Sequence, residues 1–191
     1  MSPWFTKDSI HMTEKKVTIN IYRANAFSLV LAAAVGVVSI VLWLTVCNSS
    51  QHGQPANLLY SSIIFPIALL IGIVAHELIH GLTWACFSKG GWKSISFGII
   101  WKMLTPYCHC DQPLPLRAYL IGCLMPLIVL GLVPWIVGLC FGMGLLIIWG
   151  VIFIACAAGD ILIAWKLRHE PPTATILDHP TEAGCTVYQQ D

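Results

Sequence analysis

The run from Leu58 to Phe87 is apolar almost throughout, yet its second half contains His76, Glu77 and His80. About 20 apolar residues are enough for a helix to cross the hydrocarbon of a bilayer, so this run predicts a membrane-spanning helix. Ionisable side chains at membrane depth are expensive, and where they occur they usually mark function. The chain therefore has to fold so that a polar site is enclosed among apolar helices.

The composition indicates an integral membrane protein with the lipid bilayer as a partner. Hydrophobic residues make up 57% of the chain and charged residues only 10%, against about 25% charged residues in a typical soluble domain. The net charge is +1, and no basic block large enough to bind nucleic acid is present, so we expect no nucleic-acid partner. Most of the eight cysteines lie within or beside apolar runs, which favours reduced thiols over a disulfide framework.

Four apolar runs are long enough to span a bilayer as helices. They cover residues 24–47, 58–87, 119–140 and 144–165. The stretch from 119 to 165 is too long for one helix, and Phe141-Gly142-Met143-Gly144 is the predicted turn between the last two spans. The predicted fold is an all-α polytopic membrane protein with four transmembrane helices.

The positive charges predict how these spans are oriented. All ten Lys and Arg residues fall within residues 7–23, 89–117 and 166–168, and the loops at 48–57 and 141–144 contain none. Because positive loops face the cytoplasm, we expect a multi-pass protein of the cell membrane with both termini cytoplasmic. The predicted organisation is a cytoplasmic segment 1–23, a membrane domain 24–168, and a cytoplasmic tail 169–191 with little fold of its own.

The segment from Ser88 to Ala118 differs from the apolar runs around it. Residues 93–101 partly alternate between polar and apolar, and β-branched and aromatic side chains recur up to residue 110. This pattern is typical of short strands. We expect a small β-hairpin at the cytoplasmic surface, between the second and third helices.

The HExxH motif of residues 76–80 indicates a metal site. Residues four apart share one helix face, so His76 and His80 can bind one metal ion together. Glu77 is then placed to take a proton from metal-bound water. The alternative is a polar patch whose side chains are hydrogen-bonded between helices without a metal. Three ionisable side chains within five residues favour the metal site over this alternative.

Catalytic zinc usually has three protein ligands and one open position, so a third ligand is expected on another span. Of the nine acidic residues, only Glu77 and Asp160 lie within apolar runs. Asp160 precedes Lys166 by six residues and His80 precedes Lys89 by nine, so the two levels differ by only a few ångströms at ~1.5 Å rise per residue. Asp160 is therefore the predicted third ligand. The alternative is that its carboxylate makes a helix–helix hydrogen bond or reaches the membrane–water interface.

His109 is the next candidate ligand. It lies between Cys108 and Cys110 in the predicted hairpin, and neighbouring positions on a strand point to opposite faces, so the three side chains cannot easily share one ion. A lone histidine in a surface loop is more often exposed than functional, and a role near the substrate is the alternative.

Three motifs together resemble the putative zincin peptidase family of small bacterial membrane proteins. They are His-Glu-Leu-x-His-Gly at residues 76–81, the pair Gly159-Asp160, and Asp178-His179-Pro180 followed by Gly184. The chain also looks like the site-2 protease class of intramembrane metalloproteases. The resemblance implies one zinc ion held by His76, His80 and Asp160, with Glu77 as the catalytic base. It implies hydrolysis of peptide bonds in membrane or membrane-adjacent polypeptides.

Two other functions remain as alternatives to a peptidase. A catalytically inactive metal-binding scaffold or regulator would not need Glu77, which is not a ligand. A transporter is less favoured because four spans with one metal offer no obvious translocation path. A membrane oxidase with histidine boxes is excluded, since two intramembrane histidines and His109 cannot supply a histidine-rich di-iron site.

Overall fold

The computed structural model describes residues 12–47, 60–101, 105–179 and 183–190. Helices are the main elements: α1 Ile21–Leu42, α2 Phe65–Phe87, α3 Leu116–Pro126, α4 Val133–Phe141, α5 Gly144–Cys156 and α6 Ala158–Leu167. The strands are β1 Met12–Thr18, β2 Ile95–Ile100, β3 Thr105–Cys110, β4 Leu114–Pro115, β5 Thr175–Asp178 and β6 Gly184–Gln190. π-helical turns at Trp43–Cys47, Tyr60–Ile64 and Leu127–Leu132 extend or join helices.

Among the described residues, three continuous helices are long and apolar enough to cross a membrane: Ile21–Thr45, Ser62–Phe87 and Leu116–Phe141. They correspond to the first three predicted spans. The fourth predicted span is not one straight helix, because α5 and α6 form a pair bent by 47°. The described residues therefore contain three helices that could cross a membrane, or four possible spans if this bent pair is one span. The break falls at Ala157, three residues before Asp160, so the bend separates the helix that carries this carboxylate from the apolar helix before it.

The predicted fold is confirmed only in part. The chain is mostly helical, but it is not all-α, because besides the hairpin it contains a four-stranded sheet. Its strand order is β1-β6-β5-β4. β1 and β6 are antiparallel, from Met12 opposite Gln190 to Thr18 opposite Gly184. The predicted tail of little fold is wrong for the same reason, since β5 and β6 both lie in it. β4 has only two residues and β5 only four. The sheet depends on pairing between segments far apart in the chain, since β1 pairs with β6.

The predicted hairpin is confirmed. β2 and β3 pair antiparallel from Ile95 opposite Cys110 to Ile100 opposite Thr105. The predicted segment also includes residues 102–104, which lie outside the described residues. The position of the hairpin at the cytoplasmic surface stays a prediction.

The chain divides into two compact units, with boundaries at residues 21/22, 76/77, 125/126 and 159/160. The sheet-containing unit comprises the described parts of 1–21, 77–125 and 160–191. Its core is built from side chains of the four-stranded sheet, α2, α3 and α6 together with β3. Its large buried members include Trp84, Leu114, Leu116, Tyr119, Leu167, Ile176 and Val187.

The helical unit comprises the described parts of 22–76 and 126–159. Its helices approach closely at glycines: a Cβ added at Gly150 would lie 2.7 Å from the Trp135 Cα atom, and one at Gly138 would lie 2.7 Å from the Ile147 nitrogen. The predicted turn between α4 and α5 is confirmed. Gly142 adopts φ +65°, a left-handed conformation that favours glycine.

Candidate metal centre

The structure brings together the three ligands predicted from the sequence. His76 and His80 lie one turn apart on α2 and are only 8% and 5% exposed. Asp160 lies in the first turn of α6 and is partly buried. One ligand atom from each of the three residues lies within 4.8 Å of the other two. Within the described residues this is the one group of three or more His, Cys, Asp and Glu side chains close enough to hold a metal ion.

The hydrogen bond of His80 determines which of its ring nitrogens faces the site. Nδ1 lies 2.8 Å from the carbonyl oxygen of Gly122. Because a carbonyl oxygen only accepts, Nδ1 must carry the hydrogen and donate it. Nε2 lies 3.5 Å from Oδ1 of Asp160. In neutral His80 the lone pair of Nε2 therefore faces a carboxylate oxygen, and a shared cation satisfies both atoms.

The donor set fits a catalytic zinc ion. Two imidazole nitrogens and one carboxylate oxygen are three ligands that zinc accepts, and they leave a fourth position open. The hydrogen bond from His80 to Gly122 is the outer support that metal-bound histidines usually have. The residues present therefore fit the group that the motif implies.

Asp160 is placed by the break at Ala157. Because a new helix begins at Ala158, Asp160 lies in a first turn, where the helix dipole stabilises a carboxylate. The Cys123 thiol, on α3, donates a hydrogen bond to the Asp160 backbone carbonyl at 3.4 Å. The bend thus places Asp160 in a first turn, and α3 contacts its backbone.

Gly81, the last residue of the extended motif, allows the hairpin to contact α2 beside His80. A Cβ at this position would lie 2.8 Å from Cζ of Phe97, 2.9 Å from Cγ2 of Ile95 and 3.2 Å from Sγ of Cys108. Burial raises the pKa of the Cys108 thiol, and the negative charges of Glu77 and Asp178 raise it further. The hairpin therefore lies against the part of α2 that carries Glu77.

Sequence reasoning missed an aromatic stack next to His80. The His80 and Trp84 rings are stacked with centroids 5.3 Å apart, and the Trp84 and Tyr119 rings are stacked at the same distance. Trp84 could have been found, because it is four residues after His80 and so shares its helix face. No local signal pointed to Tyr119, which is on α3.

His109 is not part of the metal cluster. Its Nδ1 lies 3.3 Å from Oδ2 of Asp178, and its side chain is 19% exposed. The expectation of an exposed histidine is therefore wrong. The hydrogen bond to Asp178 raises the pKa of His109, burial opposes this, and the charges of Asp178 and Asp111 add to the rise. His109 and Asp178 form a partly buried ion pair when the imidazole is protonated.

The profile of a family described as putative zincin peptidase matches residues 69–175. The match covers more than half of the 191-residue chain and includes the motif on α2 and Asp160. The chain therefore belongs to the putative zincin peptidase family, which indicates a metallopeptidase and implies zinc. Neither the curated proteins nor the solved structures contain a significant match to this chain.

Proposed function

We propose that the protein is a zinc-dependent endopeptidase embedded in the cell membrane, which cuts membrane or membrane-adjacent polypeptides. The observation that carries this proposal is the convergence of His76, His80 and Asp160 ligand atoms within 4.8 Å. α2, which carries two of the three, is long and apolar enough to span a membrane. Membership of the zincin family supports the same chemistry.

Each residue has a distinct role in this proposal. His76, His80 and Asp160 would hold one zinc ion, which when bound polarises a peptide carbonyl and acidifies a water molecule. Glu77 accepts a proton from the attacking water and later delivers it to the nitrogen of the leaving amine. The attack forms the new C–O bond, and the C–N bond then breaks as its nitrogen is protonated, so the products are a carboxylate and an amine.

The hairpin supports a mode of substrate binding. A helix in lipid satisfies its carbonyls internally, so a substrate has to become extended before it can be cut. Across the described ranges, the sheet that contains β2 and β3 has no further strand, and an edge of this kind accepts an extended peptide by strand addition. Because Gly81 brings Phe97 and Cys108 against α2, a peptide on the hairpin would lie near Glu77.

Replacement of Glu77 by Gln tests the mechanism. The amide keeps the size of the side chain but cannot act as the base, so we expect zinc to be retained and proteolysis to fall ~10²–10⁴-fold. Zinc content is measured on purified protein, and comparative proteomics of cells detects membrane precursors that accumulate. Glu14→Gln, on the exposed face of β1, is the matched control.

The result that contradicts the mechanism is a Glu77→Gln protein that processes an authentic substrate at the wild-type rate. If that variant also retains zinc and full function in cells, the scaffold alternative is favoured. If the wild-type protein does not bind zinc at all, the assignment of the metal centre is wrong.

The proposed orientation places both termini in the cytoplasm. Labelling of cysteines with an impermeant thiol reagent tests this orientation. The native Cys185 is a poor probe, because it is fully buried and would not react on either side of the membrane. A cysteine at the exposed residue His169 is a better probe of the tail, and a cysteine at Gln51 probes the loop 48–57, which lies outside the described residues. In a background without native cysteines, an impermeant reagent applied to intact cells should label Gln51→Cys and not His169→Cys. The reverse pattern would overturn the orientation.

A further inference from the structure

Three aromatic rings in the sheet-containing unit form a continuous stack that begins at the metal ligand His80. The planes of His80 and Trp84 differ by 21° and those of Trp84 and Tyr119 by 15°, with 5.3 Å between centroids in each pair. His80, Trp84 and Tyr119 are all buried. Near-parallel planes across two helices restrict how far the imidazole can rotate, since a turn of its ring would break contact with the indole face.

Gly122 on α3 serves the stack in two ways. Its carbonyl accepts the hydrogen bond from Nδ1 of His80 at 2.8 Å. Its lack of a side chain admits the indole of Trp84, because a Cβ there would clash with the Nε1 and Cδ1 atoms of that ring. Nε1 of Trp84 also donates to the Tyr119 carbonyl at 3.1 Å. The indole is thus fixed to α3 at the same place where the imidazole is fixed.

The far end of the stack is attached to the four-stranded sheet. The hydroxyl of Tyr119 donates to Oδ1 of Asp178 at 2.9 Å, and Asp178 is the last residue of β5. The other oxygen of the same carboxylate lies 3.3 Å from Nδ1 of His109 on β3. One carboxylate therefore connects the stack both to the sheet that joins the chain ends and to the hairpin.

We propose that Trp84 and Tyr119, anchored by Asp178, are positioning residues that hold the imidazole of His80 in its metal-binding orientation. In that orientation Nδ1 is engaged by Gly122 and Nε2 is directed toward Asp160. The proposal rests on the zinc function proposed above. Supporting residues around metal-bound histidines typically contribute about 10–100-fold to metal affinity, because they fix ring orientation before the ion arrives.

A comparison of two substitutions at Trp84 separates positioning from core packing. Leu and Phe both remove the Nε1 donor and both reduce the volume of the side chain, but only Phe retains a ring to stack on His80. We expect zinc affinity, measured by chelator competition on the full-length protein, to fall about 10–100-fold in Trp84→Leu. Trp84→Phe should recover most of that loss. Trp101→Leu, which removes an exposed indole, is the control and should bind zinc as the wild type does.

The absorption bands of bound Co²⁺ give a second readout that a purely structural role would not change. Their position and intensity report the geometry of the ligands, so Trp84→Leu should shift them and Trp84→Phe should restore them.

Tyr119→Phe removes only the hydrogen bond to Asp178, and we expect a smaller loss of zinc affinity than in Trp84→Leu because both stacked rings remain.

Equal zinc affinities of Trp84→Leu and Trp84→Phe would overturn the proposal, whether both match the wild type or both are weak. The metal assignment itself is tested separately by His76→Ala, which leaves the stack untouched. If His76→Ala binds zinc as the wild type does, the proposed metal centre is wrong. If His76→Ala loses zinc while the two Trp84 variants remain equal, only the positioning role is wrong.

Discussion

The two units of this chain use their buried residues differently. In the helical unit, glycines let helices approach closely, as Gly150 does against Trp135. Its buried hydrogen bonds include ones between neutral groups, such as the hydrogen bond from Trp135 Nε1 to Ser39 Oγ at 2.8 Å. In the sheet-containing unit, ionisable side chains are drawn inward and paired, as His80 is with Asp160 and His109 with Asp178.

This difference suggests two roles: the helical unit packs helices against one another, and the sheet-containing unit supports the ionisable groups of a reactive site. Close glycine contacts suit segments that lie in lipid, where packing rather than the hydrophobic effect holds helices together. Buried polar groups need fixed partners, because an unpaired one is costly at low dielectric. We therefore expect substitutions in the two units to damage different properties.

The largest effect should follow removal of a metal ligand. His80→Ala and Asp160→Asn each take away one of three ligands, so zinc affinity should fall by more than the roughly 10–100-fold expected for a supporting residue. Zinc content of the purified protein and competition with a chelator measure this loss. His169→Ala removes an exposed histidine and serves as the control. Full zinc occupancy in Asp160→Asn would show that the third ligand is another residue.

A smaller effect, on stability rather than on zinc affinity, is expected when a closely packed glycine of the helical unit is replaced by alanine. The added Cβ of Gly150→Ala would lie 2.7 Å from the Trp135 Cα atom and 2.8 Å from its nitrogen, and backbone atoms cannot move aside cheaply. Overpacking of this kind costs about 1–3 kcal/mol. Gly144→Ala adds the same methyl group where nothing lies within 4 Å.

Unfolding in detergent should therefore occur more easily for Gly150→Ala than for Gly144→Ala, while both bind zinc with wild-type affinity once folded. A loss of zinc affinity in folded Gly150→Ala would contradict the division of roles between the two units.

The smallest effect concerns pH and the ion pair of His109 with Asp178. The pKa of His109 is raised above 6.5 in the folded protein, so the pair stabilises the fold fully below that value. The contribution is lost as the pH rises through the folded-state pKa. For a partly exposed pair it should be no more than about 1 kcal/mol.

We therefore compare the free energy of unfolding of the wild type with that of His109→Asn at several pH values. The advantage of the wild type should shrink as the pH is raised from below 6.5. His169→Asn controls for the loss of an exposed histidine. A stability difference between wild type and His109→Asn that does not change with pH would show that the ion pair contributes nothing.

Much of the site could be predicted because its signals are local. The spacing of His76 and His80 follows from one helical turn, and Gly142 marks the turn between α4 and α5 within a few residues. Asp160 was found because few acidic residues lie in apolar runs. The span that contains Asp160 was predicted as one straight helix, without the break at Ala157. The residues around Ala157 are small and apolar, and no local pattern in them predicts a bend of 47°.

By itself, the sequence determined the apolar helices, the hairpin, the motif on α2 and the family to which the chain belongs. Only the tertiary structure decided that the chain ends meet in one sheet, with Met12 opposite Gln190. It also decided that Asp178 lies between Tyr119 and His109, and that Gly122 sets which nitrogen of His80 faces Asp160. The physical reason is that helix periodicity and turn chemistry act over a few residues. Strand pairing and the partners of buried polar groups depend on residues far apart in the chain, which no local pattern specifies.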